Sequence, residues 1–382
     1  MSASFSFKIY SSTSEFPTNW NDFSANNIFF SKEYLHILEV SSPNNISSNF
    51  IGLFQNEKLV GVALTQFNNL SLLNSYGERD NCIKTKIRTV VFKNFSSNVL
   101  VVGNNTLTGQ NTFCFSKEVP AKELINLLYK AVEELQKQIE KKGQKVHLVI
   151  YKDFPELQVP LFELPEFSSF YNFTTQPNML FSIKEHWNTF DDYVTDLSKK
   201  YRDQFKRARK KSDGITKRKF SIVDIENYKE RIVELYLNVA KKATFNTFYL
   251  NDDHFEIFKK ALNDKFLFYG YFNDETLIGF NTLIKNGNDI DTYFLGYDEK
   301  CQREKMLYLN MLYDMIAYSI NKGFKRIVFA RTALEIKSSV GANIEVLHGF
   351  MRHNNCFINL FIPKLFHFFE PKMEWTERNP FK

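Results

Sequence analysis

Cysteine and long hydrophobic runs are both scarce in this sequence. The four cysteines lie far apart and form no C-x-x-C pair, which argues against a zinc ribbon and against a disulfide framework; they are Cys82, Cys114, Cys301 and Cys356. We therefore expect reduced thiols in an intracellular protein. No stretch approaches the roughly 18 apolar residues that a membrane-spanning helix needs, and the first residues do not read as a signal peptide. These absences predict a cytoplasmic protein.

Several motifs that carry chemistry are also absent. There is no G-x-S-x-G, no Walker A sequence and no G-x-G-x-x-G, so an enzyme with a nucleophilic Ser or Cys is not supported. His348 and His353 are five residues apart, whereas a metal-binding pair on a helix needs a spacing of about three or four, and no third ligand is near. No bound metal is expected.

The composition is that of a globular protein with more than one domain. At 382 residues the chain exceeds the size at which one hydrophobic core usually stops growing. Hydrophobic residues make up 43% and charged residues 24%, a balance that disfavours disorder. The 40 phenylalanines would suit an unusually aromatic pocket, and the net charge of +6 favours an anionic partner.

One pattern occurs twice along the chain. Residues 54–61 read FQNEKLVG and residues 272–279 read FNDETLIG, each between two short apolar runs. Polar residues between β-rich runs predict a hairpin. Further along, a helical pattern ends at a K-G-x-K turn and gives way to an apolar strand, in 122–151 and again in 303–330. Glycine just past a helix is the expected left-handed cap.

Two patterns that repeat in the same order, the hairpin and the helix followed by a strand, favour two structurally related α/β domains. We expect them at 1–175 and 176–382, with the boundary in the aromatic stretch near 165–185. The helix within 122–151 has a single apolar stripe, which predicts a half-exposed surface helix. The helix within 303–330 is apolar nearly all round and is expected to be buried.

A strongly basic helix is predicted at 190–212. Acidic residues begin it, basic residues end it and Gly214 follows. The stretch 199–211 holds eight cations and one acid, Asp203. Such cations repel one another without an anionic partner, and they suit the phosphates of a nucleotide cofactor, an RNA or a lipid surface. The alternative is a solvated helix face. Arg202, early in the helix, is placed to reach a buried site.

The other candidate site residues follow two predicted strands. The stretch 289–297, DIDTYFLGY, reads as a strand that carries Asp291, Tyr293 and Tyr297 on one side. The strand 326–331 runs into a segment with ionisable side chains, a common position for sites in α/β proteins; these are Arg331, Glu335 and Lys337. Asn246 either lines the cleft or lies in a turn between helices.

At these residues the sequence resembles the tandem GNAT-type acyltransferases. That group includes the Fem-type peptidoglycan aminoacyltransferases and the BioF-associated acetyltransferase-like proteins. The resemblance rests on LSKKYRDQFKRARKK, on the YFLGYDE strand followed by a helix, and on the E-x-K-x-x-x-G element. It covers about 190–345 well and the N-terminal half more loosely. It implies two GNAT-like domains, the first degenerate, each a mixed, mostly antiparallel sheet flanked by helices.

The resemblance also implies a reaction and roles for individual residues. An acyl group would pass from an activated thioester or ester to a primary amine without a covalent enzyme intermediate. Lys337 would lie in the catalytic cleft and stabilise the oxyanion. Glu335 or Asp291 would hold or deprotonate the acceptor ammonium. Arg331 would bind a donor phosphate or an acceptor anion, while Tyr293, Arg202 and Asn246 would contact substrate. Structural alternatives remain for Glu335 and Lys337, as members of ordinary ion pairs, and for Tyr293, as a core residue.

The donor is not fixed by these residues. Acetyl-CoA-binding members place a glycine-containing turn at the start of the helix after the YFLGYDE strand, where backbone N–H groups cradle the pyrophosphate. Here that position reads DEKCQREKMLYLN, without glycine, which argues against conventional acetyl-CoA binding. Long-chain acyl-CoA, acyl carrier protein and aminoacyl-tRNA remain, as does a non-catalytic GNAT-like binding module.

Among the donors, we favour a fatty acyl thioester and a long-chain amino base as acceptor. Bacterial ceramide synthase-like N-acyltransferases belong to a similar GNAT-like group, and the aromatic composition suits an apolar chain. Aminoacyl-tRNA, with a peptidoglycan precursor as acceptor, is the alternative, in which the basic helix would contact RNA. The oligomeric state is left open.

The C-terminal stretch 356–372, CFINLFIPKLFHFFEPK, allows two interpretations. It is too short and too polar to span a membrane, but it has the composition of an interfacial segment that docks on one. That would place the protein at the inner membrane face as a peripheral contact. We expect instead that the stretch packs on the core and that Pro363 breaks it.

Overall fold

A computed structural model of the chain describes residues 4–72, 97–242, 246–369 and 375–382. Its strands, in chain order, are β1 Phe5–Tyr10, β2 Ile46–Gln55, β3 Lys58–Asn69, β4 Asn98–Val102, β5 Phe113–Phe115, β6 Leu148–Pro155, β7 Tyr171–Thr174, β8 Asn178–Ser182, β9 Ile215–Lys219, β10 Phe266–Asn273, β11 Thr276–Asn286, β12 Asp289–Tyr297, β13 Arg326–Ala330, β14 Asn343–Glu345 and β15 Leu347–His353.

The helices alternate with these strands. In chain order they are α1 Lys32–Val40, α2 Ala121–Lys141, α3 Phe190–Asp196, α4 Lys199–Lys211, α5 Ile222–Asn227, α6 Lys229–Ala240, α7 His254–Leu262, α8 Glu299–Lys305, α9 Leu307–Asn321, α10 Leu334–Ser338, α11 Cys356–Asn359 and α12 Ile362–Phe369.

The first of two compact units comprises 1–175, 247–251 and 346–372. Its sheet has the order β1-β2-β3-β4-β6-β15-β7, and β5 also pairs with β3. Helix α2 packs its apolar stripe on this sheet through residues such as Leu124, Leu128 and Ala131. The segment 346–372, expected in the second domain, lies in this unit because β15 pairs with both β6 and β7.

The second unit comprises 176–246, 252–345 and 373–382. Its sheet has the order β14-β8-β13-β12-β11-β10-β9. Helix α9 is buried on most of its faces, as its composition predicted, and it shares a core with the aromatic side chains of α3 and α4. Each unit therefore contains a hairpin, a third strand, a helix and a strand parallel to the third, namely β4 with β6 and β12 with β13. The prediction of a mixed α/β fold is confirmed.

The turns and helix ends predicted from the repeated patterns are present. The β2–β3 turn places Asn56 and Glu57 at φ values of 47° and 67°, and the β10–β11 turn places Asp274 at 52°. Left-handed residues at such positions match the twist of the flanking strands. Gly143 and Gly323, after α2 and α9, have φ values of 83° and 74°, as expected for left-handed caps.

The basic helix is not continuous. The structure divides 190–212 into α3 and α4 at Leu197, whose backbone is extended and forms a bridge with Phe381. The Ser198 N–H donates to the Pro380 carbonyl at 2.8 Å. The C-terminal residues thus supply backbone partners that local helix signals cannot reveal. The helix predicted within 303–330 is similarly interrupted at Met306, which has φ 50°.

Gly296 in β12 allows α6 to lie directly against the sheet. A Cβ at this position would come within 2.5 Å of the Leu235 carbonyl carbon and 2.6 Å of the Tyr236 nitrogen. Because both atoms belong to the backbone of α6, Gly296→Ala is expected to lower the free energy of unfolding by about 2 kcal/mol, measured by chemical denaturation. The matched variant Gly52→Ala meets only side-chain atoms, at 3.1–3.2 Å, and should lose less. Equal losses would contradict this account.

Candidate active site

The parallel strands β12 and β13 separate from each other towards their carboxyl ends. Pairing runs from Asp289–Arg326 to Asp291–Val328 and then stops. At the opening, the Thr292 hydroxyl donates to the Val328 carbonyl at 3.0 Å. A register shift between β11 and β12 follows, so that two residues of β12 face one residue of β11. Such bulges are frequent beside active sites.

Lys337, on the short helix α10, caps the end of β13. Its ammonium group donates to the carbonyls of Phe329, Ala330 and Arg331 at 2.6, 3.1 and 2.7 Å. These are carbonyls at the end of β13, beyond its last pair with β12. Lys337 is buried, and this burial lowers its pKa to about 7, although the three carbonyl dipoles favour the charged form.

The residues from Ala330 to Ala333, whose carbonyls include two that Lys337 binds, have an unusual backbone conformation. Ala330, Thr332 and Ala333 have φ values of 58°, 70° and 48°, a region that residues with a Cβ seldom adopt. Conformations of this kind persist when the surrounding structure enforces them, and they cluster at functional sites. The ammonium of Lys337 is one such restraint, because it binds carbonyls on both sides of the bend.

The other ionisable residues of this segment anchor neighbouring chain. The Arg331 Nε donates to the Gln176 carbonyl at 2.9 Å. Glu335 is exposed and forms an ion pair with Arg378, whose Nε donates to Glu335 Oε1 at 3.0 Å. The alternative of an ordinary ion pair thus describes Glu335 in the present structure, whereas Lys337 binds carbonyls.

A cleft of about 660 Å³ lies between α4, the start of α9 and α10. Its rim carries the cations Lys200, Arg207 and Arg378, with Glu335 among them. Apolar and aromatic side chains form much of the remaining wall, including Tyr201, Met306, Leu309, Leu334, Ile336 and Trp375. The cleft combines positive charge with an apolar surface, as expected for an anionic ligand that also carries an apolar or aromatic part. Neither Lys337 nor Arg202 lines it.

Helix α4 presents most of its cations to solvent. Arg209 is an exception, since it pairs with Asp314 of α9 at 2.8 Å, and Asp314 also accepts from the Tyr271 hydroxyl at 3.0 Å. Among the described residues, no ion pair is formed by the other seven cations of the helix: Lys199, Lys200, Arg202, Lys206, Arg207, Lys210 and Lys211. One face of the helix is thus fixed to the core, and the cations on its other faces are not neutralised by ion pairs.

Asp291 and Tyr293 occupy the middle of β12. Asp291 is buried, and burial raises its pKa to about 7, opposed by a hydrogen bond at 3.2 Å from the Asn286 amide. The Tyr293 hydroxyl lies 3.0 Å from His254 Nε2 on α7. Tyr297, expected on the same side, packs instead against the core that contains α9, with its ring 6.3 Å from that of Tyr308, because the bulge reverses the alternation of side chains. No hydrogen bond or ion pair joins Asp291 to Lys337 in the described part of the chain.

The remaining predicted residues lie apart from this cleft. Arg202 is half-buried on α4, and Asn246 is half-buried beside 243–245, which lie outside the described residues. The structure therefore groups Glu335 with the basic helix and Arg331 with Lys337, while Asp291 and Tyr293 lie on β12. The catalytic and substrate-binding roles of all seven residues stay predictions.

Sequence reasoning missed three residues that shape the region. Arg378 and Trp375 line the cleft from the C-terminal end, and no local signal identifies them. Asp298 caps α8, since its Oδ1 accepts from the Cys301 N–H at 3.0 Å and this bond lowers its pKa. An Asp directly before a helix is an N-cap signal that was visible in the sequence.

Several features outside the cleft bear on the expectations. Within the described ranges, no three His, Cys, Asp or Glu side chains are grouped as metal ligands, and no helix there is long and apolar enough to cross a membrane. Cys114, Cys301 and Cys356 are free thiols. Cys82 lies outside the described residues.

Comparisons with known proteins place the chain in a family. The model of the FemAB-like family, described as peptidoglycan biosynthesis/recognition, matches residues 13–330. The structure of FemX is similar over 93% of this chain and 99% of its own, with 11% identity and a TM-score of 0.56. A tandem GNAT protein from the clavulanic acid biosynthesis pathway is similar over 92% and 98%, with 10% identity and a TM-score of 0.52. No curated protein matches the sequence.

The fold is thus that of a tandem GNAT protein. The chain belongs to the FemAB-like family, since the family model covers most of its length. Family and fold together support an acyl or aminoacyl transferase with a role in cell-wall biosynthesis.

Proposed function

We propose that the chain transfers an aminoacyl group from aminoacyl-tRNA to a primary amine of a peptidoglycan precursor. The observation that carries the proposal is the group of seven unneutralised cations on α4, two of which line the cleft. Membership of the FemAB-like family supports the acceptor class. A polyanionic donor explains both the number of cations and their position beside the cleft.

A polyanion accounts for α4 better than a single diphosphate does. Cations at spacings of three and four residues on one helix repel one another, and a nucleic acid backbone neutralises many of them at once while releasing its own counterions. Lys210 and Lys211 continue the charge one turn beyond Arg207, further than one diphosphate reaches. The Arg209–Asp314 pair holds this helix against α9, so the cations form a fixed surface.

The start of α8 also argues against a coenzyme A diphosphate at that helix. Where acetyl-CoA-binding relatives would offer free N–H groups, the Asp298 carboxylate already accepts the Cys301 N–H. Glu299 follows directly and is itself paired with Lys242. The cleft of about 910 Å³ at this position is lined by four carboxylates and four cations, so it offers a diphosphate no net positive charge, unlike the cleft beside α4.

The proposed chemistry is attack of a neutral amine on the ester carbonyl. A carbon–nitrogen bond forms, the ester carbon–oxygen bond breaks, and the ribose hydroxyl leaves with a proton. Asp291, with a pKa raised to about 7, can accept the ammonium proton near neutral pH. Lys337 supplies positive charge at the opening between β12 and β13, where an oxyanion would be stabilised. Its bonds to the carbonyls of Phe329, Ala330 and Arg331 fix that charge in place.

A thioester donor, acyl-CoA or acyl carrier protein, is the second candidate. The observation in its favour is the apolar part of the cleft wall, formed by Met306, Leu309 and Ile336 among others. An acyl chain would bury apolar surface there. A carrier protein would in addition offer acidic side chains to α4. The acceptor in this case is a lipid-like amine such as a long-chain amino base.

Direct transfer assays separate these donors. We would supply labelled aminoacyl-tRNA, long-chain acyl-CoA and acyl carrier protein in turn, each with a muropeptide precursor and with a long-chain amino base. Label transferred from aminoacyl-tRNA to the muropeptide supports the proposal. Transfer only from a thioester would replace it with the second candidate. No transfer from any donor, with the protein folded, would favour a binding module.

Reversing two charges in the cleft is expected to weaken donor binding. The double variant Lys200→Glu/Arg207→Glu should raise the KM for aminoacyl-tRNA at least about tenfold, because each phosphate contact contributes to a salt-dependent affinity. The slope of binding against salt concentration should also become shallower. Lys265→Glu/Lys322→Glu, on exposed sites away from the cleft, carries the same charge change as a control. A similar loss in both variants would indicate non-specific electrostatics only.

A further inference from the structure

The segment that follows β15 displays three large apolar side chains to solvent. Phe357, Leu360 and Phe361 are 74%, 76% and 55% exposed. They lie within five residues, on α11 and the turn before α12, and we name them the apolar tip. Exposed apolar clusters of this size mark contact sites in soluble proteins.

Side-chain hydrogen bonds fix the conformation of the segment that carries the apolar tip. The Asn355 Oδ1 caps α11 by accepting from the N–H groups of Phe357 and Ile358 at 3.0 and 3.1 Å. The Asn359 amide donates to the Ser169 carbonyl at 2.9 Å, and its Oδ1 accepts from the His353 N–H at 2.8 Å. The turn that carries the tip is therefore held by side chains on both sides.

Helix α12 packs its opposite face on the sheet. Ile362 is buried, and the Phe366 ring lies 5.0 Å from the ring of Phe173 and 5.9 Å from that of Tyr171. The stretch is interrupted between Asn359 and Ile362, just before Pro363. Pro363 itself lies in the first turn of α12, where its missing N–H is not needed. The stretch thus divides its apolar residues between the core and solvent.

The surroundings of the tip are basic. Residues 356–369 contain no Asp or Glu, and Lys364 and His367 are exposed. The loop after α2 also lies beside this segment, since the Asn354 amide donates to the Val146 carbonyl at 2.8 Å. The last residue of α2 and that loop add three exposed lysines, Lys141, Lys142 and Lys145, while Glu140 is the exposed acid nearest to them in sequence.

We propose that the apolar tip inserts into the surface of an anionic lipid membrane while the surrounding cations bind the headgroups. A few exposed aromatic and aliphatic side chains within a basic border are what interfacial binding requires, since apolar burial and attraction to anionic lipid add together. A second copy of the chain fits less well. A twofold contact through the tip would bring Lys364 and His367 close to their own symmetry mates. The proposal is independent of the donor and acceptor argued above.

Vesicle flotation of the full chain tests this inference. The wild-type protein should float with vesicles of phosphatidylglycerol and phosphatidylcholine and remain behind with phosphatidylcholine alone. The variant Phe357→Ser/Leu360→Ser/Phe361→Ser should bind anionic vesicles at least about tenfold more weakly. It keeps every charge, so a contribution of α4 to vesicle binding is equal in both proteins. Leu157→Ser, at a site that is 95% exposed elsewhere in the same unit, should bind like the wild type.

Three results would overturn the proposal. The first is equal flotation of the triple variant and the wild type on anionic vesicles, and the second is no binding of either protein. The third is a concentration-dependent dimer in sedimentation that the triple variant abolishes, because the tip would then be an interface between copies. Transfer to a water-soluble acceptor should be unchanged in the triple variant, which separates this test from that of the proposed function.

Discussion

Lys337→Met is expected to lower the turnover number at least about a hundredfold, because the variant loses the fixed positive charge beside the proposed oxyanion. Methionine keeps the length of the side chain and removes its charge. The carbonyls of Phe329, Ala330 and Arg331 lose their donor, so the left-handed residues of the loop lose a restraint as well. Turnover is measured with saturating donor, at a temperature at which circular dichroism shows the variant to be folded.

Lys259→Met is the matched control for this loss. Lys259 is also a buried lysine of the second unit, and its ammonium donates to the carbonyls of Asn263 and Phe266 at 3.0 and 3.1 Å. It lies on α7, away from the end of β13. Its replacement should cost stability by the same mechanism, an unsatisfied pair of carbonyls, and leave turnover within about threefold. Comparable turnover losses in both variants would assign Lys337 a structural role alone.

The pH dependence of stability gives a second readout for Lys337. Burial lowers its folded-state pKa to about 7, below the value near 10.5 of an unfolded lysine, so between these limits the unfolded chain binds the extra proton. Stability therefore rises with pH across this window, by roughly 1.4 kcal/mol per pH unit. The difference in unfolding free energy between wild type and Lys337→Met should grow from pH 7 to pH 10. A constant difference would contradict the buried-ammonium account.

Asp291→Asn is expected to reduce the turnover number by about a hundredfold or more, the usual contribution of a general base. Wild-type activity should rise as the pH approaches 7, because the buried Asp291 carboxyl loses its proton, and it should fall above pH 7 as Lys337 loses its charge. The variant should lack the rising step. Asn keeps the shape of the side chain and its capacity to bond with Asn286. The measurement is turnover from pH 5.5 to pH 8.5 with saturating donor and acceptor.

Asp289→Asn provides the control on the same strand. Asp289 is two residues away and pairs with Arg326 at 2.6 Å, at the end of β12 opposite to the opening. Its replacement should keep the step and move it to lower pH, because Asp289 contributes to the raised pKa of Asp291. A wild-type profile without a step near pH 7, or the same step in Asp291→Asn, would remove Asp291 from the proposed mechanism.

Stability should move in the opposite direction to activity in Asp291→Asn. An unfolded aspartate loses its proton near pH 4, whereas the folded one keeps it to about pH 7, so the folded chain binds more protons between these limits. The wild type therefore loses stability relative to the variant as the pH rises through this window. Chemical denaturation at pH 4.5 and pH 7.5 measures the difference. A stabilised but inactive variant is typical of strained functional groups.

Local patterns predicted much of the fold. The hairpins β2–β3 and β10–β11, the caps at Gly143 and Gly323 and the burial of α9 all follow from short-range periodicity and turn chemistry, which act within a few residues. The strand β12 was predicted with the same bounds that the structure has. The bulge within it was not, because a register shift depends on the pairing with β11. The bulge places Tyr297 on the face of the sheet opposite to that of Asp291 and Tyr293, where it had been predicted.

In the candidate site, too, residue types were predictable from the sequence and contacts between distant residues were not. Sequence alone selected Lys337, Glu335 and Asp291 by residue type and by a family resemblance, and it identified the charge of the basic helix. It did not predict the pairing of Glu335 with Arg378, or the burial of Lys337 under carbonyls of β13. Those contacts join residues brought together by the fold, and no local signal encodes them.

The sequence by itself determined the two repeated units, the family and the concentration of positive charge in 199–211. These depend on composition and on spacings along the chain. Only the tertiary structure decided which of those charges remain unneutralised, that Leu197 and Met306 interrupt their helices, and that Lys337 and Asp291 titrate near neutrality. Each depends on burial or on a partner distant in sequence, because a pKa and an ion pair are set by the three-dimensional surroundings of a group.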